Sequence, residues 1–205
     1  TLILSTMRNL VNADHFSRNG AWTAGPFPFG RSMAGKTLGI AGLGRIGEAI
    51  VQRALPFKVS IAYHNRRPRE LPYSYYSTLE DLAEASDILL CMLPGGAETD
   101  NVVNAAVLEK LGPEGVFVNV GRGNSVDDTA LVYALETGRI RAAGLDVYKN
   151  EPRIPEAYAA LSNVILLPHI GSATVETRRA MGNLVMQNIA SYLCDNTLLT
   201  QVSEG

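Results

Sequence analysis

Cysteine is scarce. Cys91 and Cys194 are the only two in 205 residues, they form no CxxC pair, and Cys91 lies inside the apolar run Asp87-Ile-Leu-Leu-Cys-Met-Leu93, where it reads as a small buried hydrophobe. That usage fits a reduced, intracellular setting, and no metal site is expected. Long apolar runs are absent as well. Nothing approaches the roughly 20 residues that span a bilayer, and Thr1-Leu-Ile-Leu-Ser-Thr6 is too short for the apolar core of a signal peptide. No membrane partner is expected. The location expected is cytoplasmic, with an organelle reached by a removed transit peptide left open. Excess charge of one sign is missing too: the formal net charge is -2, which gives no electrostatic reason to expect nucleic acid or an anionic membrane. There is no internal repeat of fixed period and no low-complexity tract. The chain starts at Thr1 rather than Met, which reads as an excerpt of something longer.

What is present is ordinary globular material. A hydrophobic share of 46% with 19% charged residues excludes disorder as the main description, and the length suits one well-filled domain with a short appended piece. Residues 2 to 18 place Ile3, Met7, Leu10 and Val11 at helical spacing until Gly20, and a Gly/Pro/aromatic stretch follows through Phe29. This predicts a helix and an irregular arm. From Lys36 on, short apolar runs alternate with helical segments, the signature of an α/β, Rossmann-type doubly wound parallel sheet with helices on both faces.

The predicted strands are 37–41, 59–63, 88–93, 116–120, 142–145 and 164–167. Helices fall between them. One carries Ile46, Ile50 and Ala54 and stops near Pro56. Another opens at the capping box Thr78-Leu-Glu-Asp81, a third is capped by Asn104 and closed by Gly112, and a fourth opens at Ser125-Val-Asp-Asp128 and ends near Gly138. Met181, Val185, Ile189 and Leu193 recur every four residues and mark one apolar stripe on a long closing helix. The domain boundaries read from this pattern are 1–34 for helix and arm, 35–172 for the nucleotide-binding core, and 173–205 for the closing helix.

Gly42-Leu43-Gly44-Arg45-Ile46-Gly47 matches GxGxxG. Alone that match is weak, but it follows an apolar strand and opens a helix, so the glycines allow a tight turn, the approach of a pyrophosphate and close helix-to-strand packing. The helix N-terminus then faces the phosphates. About twenty residues on, an NAD site places Asp or Glu on the ribose hydroxyls. Here the stretch is His64-Asn65-Arg66-Arg67-Pro-Arg69, with no acid and three arginines. A guanidinium fork suits a 2'-phosphate, so NADP(H) is the expected cofactor, with NAD(H) as the alternative. A solvated basic loop is the plainer reading of the same residues.

Ligands of doubly wound sheets sit beyond the carboxyl ends of the strands, where strand order reverses. That rule gathers Leu93 and Pro94 at the end of the third strand, Val120, Gly121 and Arg122 at the end of the fourth, Asp146 after the fifth, and His169, Gly171 and Ser172 after the sixth, at the same edge as the glycine loop. An isolated loop histidine is usually just solvated, and Asp146 could simply start a turn.

Four segments together carry a family resemblance. Gly42 to Gly47, Asn119-Val-Gly-Arg-Gly123, Gly144-Leu-Asp-Val-Tyr148 with Asn150-Glu-Pro152, and Pro168-His-Ile-Gly-Ser-Ala-Thr174 resemble the signature segments of the D-isomer-specific 2-hydroxyacid dehydrogenases. The Asn-Arg-Arg sequence is similar to that of the NADPH-preferring glyoxylate and hydroxypyruvate reductases in that family. The resemblance implies an oxidoreductase moving hydride between NADP(H) and a small 2-hydroxy or 2-oxo acid. It implies that Arg122 binds the substrate carboxylate and carbonyl, that His169 is the general acid, that Glu151 orients and charges His169, and that Asp146 contacts the nicotinamide end. It further implies a homodimer through the opening segment to Phe29, and a second, substrate domain that this chain lacks. A dimeric, non-catalytic protein that senses dinucleotide on the same fold is the alternative from another class. The presence of Arg122, Glu151 and His169 favours the enzyme, and the Glu151–His169 pairing favours carbonyl reduction over action on formate.

Overall fold

The first strand, β1 (Thr37–Ala41), lies inside the sheet, and the chain extends from it in two directions. It runs first to β2 (Ser60–His64) and β3 (Ser74–Tyr75) on one side. It then crosses back to build β4 (Ile88–Cys91), β5 (Val116–Asn119), β6 (Ala142–Leu145) and β7 (Val164–Leu166) on the other. The spatial order is β3-β2-β1-β4-β5-β6-β7 and every pair is parallel, so strand order reverses between β1 and β4. The computed structural model describes residues 1–202. The closing residues of the expected 173–205 segment, 203–205, lie outside the described residues.

Side chains of successive strand residues point to opposite faces, and the core divides accordingly. Leu38, Ile40, Ile88, Leu90, Val116 and Val118 meet Leu2 and Met7 of α1 (Leu2–Arg8) and Val51 and Ala54 of α3 (Arg45–Ala54). On the other face Ala41, Leu89, Cys91, Phe117, Ala143 and Leu145 pack with α4 (Leu79–Glu84), α5 (Ala105–Leu111) and α6 (Asp128–Glu136). Strands buried on both faces read as continuous apolar runs, which is why the run 88–93 stood out.

Five of the six predicted strands begin where the pattern put them; the second begins at Ser60 rather than Val59, and those predicted over 88–93, 116–120 and 164–167 end earlier than expected. The seventh strand, β3, is a two-residue edge too short to carry any periodicity. Two expectations are corrected. The helix predicted over 2–18 is broken at Asn9, whose backbone is left-handed (φ 51°, ψ 45°), a conformation that Asn tolerates. Asn9 closes α1 and starts α2 (Leu10–Arg18), which turns Leu10 and Val11 outward. The helix expected to open at Ser125 is capped instead by Asp127, whose carboxylate accepts from the Thr129 and Ala130 N–H groups. Ser125 is buried, and its hydroxyl donates to the Arg122 carbonyl. The Thr78 and Asn104 caps form as read.

The chain divides into two compact units, one from Thr1 to Pro168 and a second that begins at His169. The first also holds the short α7 (Glu156–Ala159), which follows Asn150 to Pro155. The second is built on α8 (Val175–Asp195), capped by Thr174 and closed at a left-handed Asn196. The segment after α8 folds back along it: Asn188 exchanges hydrogen bonds with the Thr200 N–H and hydroxyl. The stripe Met181, Val185, Ile189 and Leu193 is exposed.

At the amino ends of β1 and β4, Asp87 receives Lys36 Nζ at 2.7 Å and the Thr37 N–H at 2.8 Å. Partial burial opposes its charge, but the ammonium and the amide outweigh that and hold the carboxyl below the usual carboxylate range. A depressed folded value means the contribution is complete above the unfolded pKa of about 3.9 and is lost as pH falls through the folded one. Asp87→Asn should therefore cost about 1 kcal/mol in urea unfolding at pH 7, a surface-discounted figure for a charge-assisted bond. The deficit should shrink below about pH 4; a deficit that stays constant with pH contradicts the assignment.

Candidate functional site

The carboxyl ends of the strands form one rim, and backbone hydrogen bonds beyond the strands fix what stands on it. The Gly42 N–H donates to the His64 carbonyl, Met92 to Ala41, Val120 to Cys91, Asp146 to Asn119, and Leu167 to Leu145. Those rungs bring Gly42, Leu93, Pro94, Val120, Gly121 and Asp146 to the same edge of the sheet, beside the reversal between β1 and β4. The predicted grouping of these residues therefore holds within the first unit.

The glycine loop makes its turn at Gly42, with φ +90° and the Met92 carbonyl carbon 3.1 Å from where a Cβ would stand. Any other residue would be strained there and would press on the backbone of the neighbouring strand. At Gly44 the reverse holds: nothing lies within 4 Å of a built Cβ, so the loop has open space in front of it. Gly44 is also the N-cap of α3 and offers no side chain to the first turn. Helices α4, α5, α6 and α8 are all capped by a Thr, Asn or Asp side chain. The amides at the start of α3 are thus left for an external acceptor, backed by the positive end of the helix dipole. This start fits the phosphates of a dinucleotide. Leu43 is buried beneath the loop, Gly47 packs within it, and Arg45 and Ile46 are exposed.

Asn65, expected as a cofactor contact, also has a task within the rim itself. Its side chain clamps the loop: Oδ1 accepts from the Leu43 N–H at 2.7 Å, and Nδ2 donates to the Leu43 carbonyl at 3.1 Å. Arg69 adds a second donor to that carbonyl at 3.0 Å and pairs with Glu48 of α3 at 2.5 Å. Both of these side-chain partners of Leu43 come from the segment after β2. Arg66 and Arg67 stand exposed at the tip of that segment. Arg66 meets Glu98 at 3.3 Å, but at 91% and 82% side-chain exposure this pair adds little stability and yields readily to a stronger anion.

Arg122 is exposed, and its Nη1 donates to the Gly121 carbonyl at 2.8 Å. The loop that carries it is braced from below by Asn119, a buried side chain that accepts from the Gly121 N–H and donates to the Arg122 carbonyl. The motif reading gives Asn119 no role of its own; a polar residue ending an otherwise apolar strand is the signal for it. Glu151 accepts the Tyr148 N–H at 3.0 Å. Tyr148 in turn donates its hydroxyl to the carbonyls of Leu145 and Leu167, tying the exits of β6 and β7 together. Burial, with Asp146 and Glu151 adding repulsion, pushes the Tyr148 phenol up to about 12. It stays a neutral donor. Asp146 is buried at 4% exposure.

His169, Gly171 and Ser172 fall in the second unit, in the turn ahead of α8. His169 is exposed and adopts a left-handed backbone, φ 54°. That conformation is uncommon for any residue other than glycine and is several-fold enriched in Asn, Asp and His. Among the described residues no cluster of three His, Cys, Asp or Glu is placed to hold a metal ion, and no helix is long and apolar enough to cross a membrane.

Comparison with known proteins places this geometry among relatives. The model of the D-isomer specific 2-hydroxyacid dehydrogenase NAD binding domain matches residues 1–171. A hydroxyphenylpyruvate reductase of Plectranthus scutellarioides is 45% identical over 202 residues, 98% of this chain and 64% of that protein. A glyoxylate/hydroxypyruvate reductase of Arabidopsis thaliana is likewise 45% identical, with the same coverage. Among solved structures, the NADPH-dependent glyoxylate/hydroxypyruvate reductase of Sinorhizobium meliloti in complex with NADP and malonate superposes with a TM-score of 0.93 at 50% identity, over 98% of this chain and 64% of that one. The chain thus spans about two thirds of the length of the curated relatives it matches.

Proposed function

The chain belongs to the D-isomer specific 2-hydroxyacid dehydrogenase family, and from that premise we propose that it is the NADP(H)-binding part of a reductase acting on a small 2-oxo acid of the glyoxylate or hydroxypyruvate type. The observation that carries the cofactor choice is the tip after β2. Two exposed guanidinium groups, Arg66 and Arg67, stand there with no acid in the stretch from His64 to Arg69, next to the open start of α3. A 2'-phosphate satisfies them, and an acid that would hold a ribose hydroxyl is missing. NADP bound to the Sinorhizobium relative supports the same reading, as do the reductase names of the plant relatives.

When bound, the dinucleotide supplies the hydride chemistry; the chain supplies position, charge and proton. The amides of Arg45, Ile46 and Gly47 receive the pyrophosphate, and Arg66 and Arg67 receive the 2'-phosphate. Leu93, Pro94, Val120, Gly121, Gly171 and Ser172 line the dinucleotide, and Asp146 meets its nicotinamide end. Arg122 offers its planar fork to the substrate carboxylate and carbonyl. His169, with Glu151 as its orienting carboxylate, delivers the proton to the carbonyl oxygen in reduction and takes it back in oxidation. The family resemblance carries these last roles.

The protein works as a cytoplasmic homodimer in this reading. Leu10, Val11, Trp22 and Phe29 are all exposed on the opening segment, more apolar surface than a free arm keeps in water. The division into arm and helix (1–34), nucleotide-binding core (35–172) and closing helix (173–205) belongs to the same proposal. The substrate side chain is selected by the part of the relatives' length that this chain does not span.

Replacing Arg66 and Arg67 together by Gln should weaken NADPH at least about tenfold while changing NADH by less than about twofold, because charge-assisted bonds to phosphate carry the difference. Fluorescence titration with both cofactors measures this, and equal losses refute the phosphate assignment. In the protein extended to the length of its relatives, His169→Ala should leave NADPH affinity intact and lower kcat by about 10² to 10⁴, the usual worth of general acid catalysis. Undiminished turnover of glyoxylate removes His169 from the proton step.

A further inference from the structure

Glu48 is an awkward residue for a site that receives phosphates. It lies in the first turn of α3, the turn whose free amides face the anion, and its N–H closes that turn on the Gly44 carbonyl. A carboxylate there favours the isolated helix through the dipole but repels an incoming dianion. The structure answers that charge from the other loop: Arg69 holds Glu48 at 2.5 Å and the Leu43 carbonyl at 3.0 Å, both through Nη1. Arg69 and Glu48 are each 41% exposed, half sunk between the two loops, whereas Arg66 reaches into solvent at 91%. The backbone around Arg69 is fixed as well, since its N–H and C=O both bond the hydroxyl of the buried Tyr63.

Resting on the dinucleotide reading above, we infer that Arg69 is a positioning residue and not a third ligand of the 2'-phosphate. It cancels the Glu48 charge at the α3 start and pins Leu43, so that the pyrophosphate can dock on the amides. The three arginines of one short segment then divide their work. Arg66 and Arg67 choose between NADPH and NADH, and Arg69 sets how tightly either one binds. The two tasks are separable because the 2'-phosphate is present in one cofactor and the pyrophosphate in both.

The test is a set of NADPH and NADH titrations on wild type, Arg69→Gln, Arg69→Lys, Glu48→Gln and the double variant Glu48→Gln/Arg69→Gln, with circular dichroism melts to confirm folding. Arg69→Gln should weaken both cofactors by the same factor, about five- to tenfold at low salt, as expected for one uncompensated charge near the surface. The loss should shrink at 1 M salt, where screening reaches about 3 Å; a purely structural defect does not respond in that way. Glu48→Gln alone should bind at least as well as wild type, and adding it to Arg69→Gln should recover most of the loss. Arg69→Lys, which keeps the charge, should stay within about threefold of wild type, and it carries the test with Glu48→Gln if Arg69→Gln does not fold. Selective loss of NADPH in Arg69→Gln, or no recovery in the double variant, overturns this inference and leaves the cofactor reading intact. A wild type that binds neither cofactor overturns both.

Discussion

A helix start with no cap is tolerable only where something else holds the turn that leads into it, and on this molecule that constraint organises the rim. Gly44 leaves the amides of α3 open, and Gly42 turns the chain through a backbone angle that side chains avoid. Neither residue has a side chain with which to hold the loop. The side-chain support comes from outside, through the two hydrogen bonds of Asn65 and the one of Arg69 to Leu43. Backbone groups of the loop are satisfied by side chains of the segment after β2, and the amides at the helix start carry no side-chain cap. The glycine loop and the segment after β2 are one mechanical unit.

The same economy of placement recurs along the rim. Asn119 braces the turn that carries Arg122, and Tyr148 ties the exits of β6 and β7 while its N–H holds Glu151. In each case a buried or half-buried polar side chain fixes backbone, so that a neighbouring charged group stands at the surface. Sites built in this way hold their geometry on rigid strands and expose only the groups that meet a ligand.

Much of this was legible in the sequence, for physical reasons that differ between elements. Strands buried on both faces cannot alternate, so the runs at 37–41, 88–93 and 116–120 announced a parallel sheet. The caps at Thr78 and Asn104 were readable because capping is a contact between near neighbours. The break at Asn9 was not, because the helical spacing of Ile3, Met7, Leu10 and Val11 continues through it and only packing of α1 on the sheet decides the outcome. Ser125 looked like a cap of the following helix, but its hydroxyl is drawn inward to Arg122. The bonds of Asn65 to Leu43 join residues 22 apart in sequence, where periodicity carries no information. The pairing of Arg69 with Glu48 escaped notice for the same reason: an ion pair between a helix and a loop distant in sequence leaves no local pattern.

The central claim is that a dinucleotide lies on the carboxyl edge of the sheet, with its phosphates on the start of α3 and the tip after β2. At 22.1 kDa the chain suits backbone amide NMR, which reads each of those positions separately during a titration. Added NADPH should move the amide resonances of Arg45, Ile46 and Gly47 together with those of Arg66 and Arg67, and NADH should move the first group far more than the second. Shifts confined to α8, or an α3 start that stays silent while NADPH binds elsewhere, would contradict the account at its root.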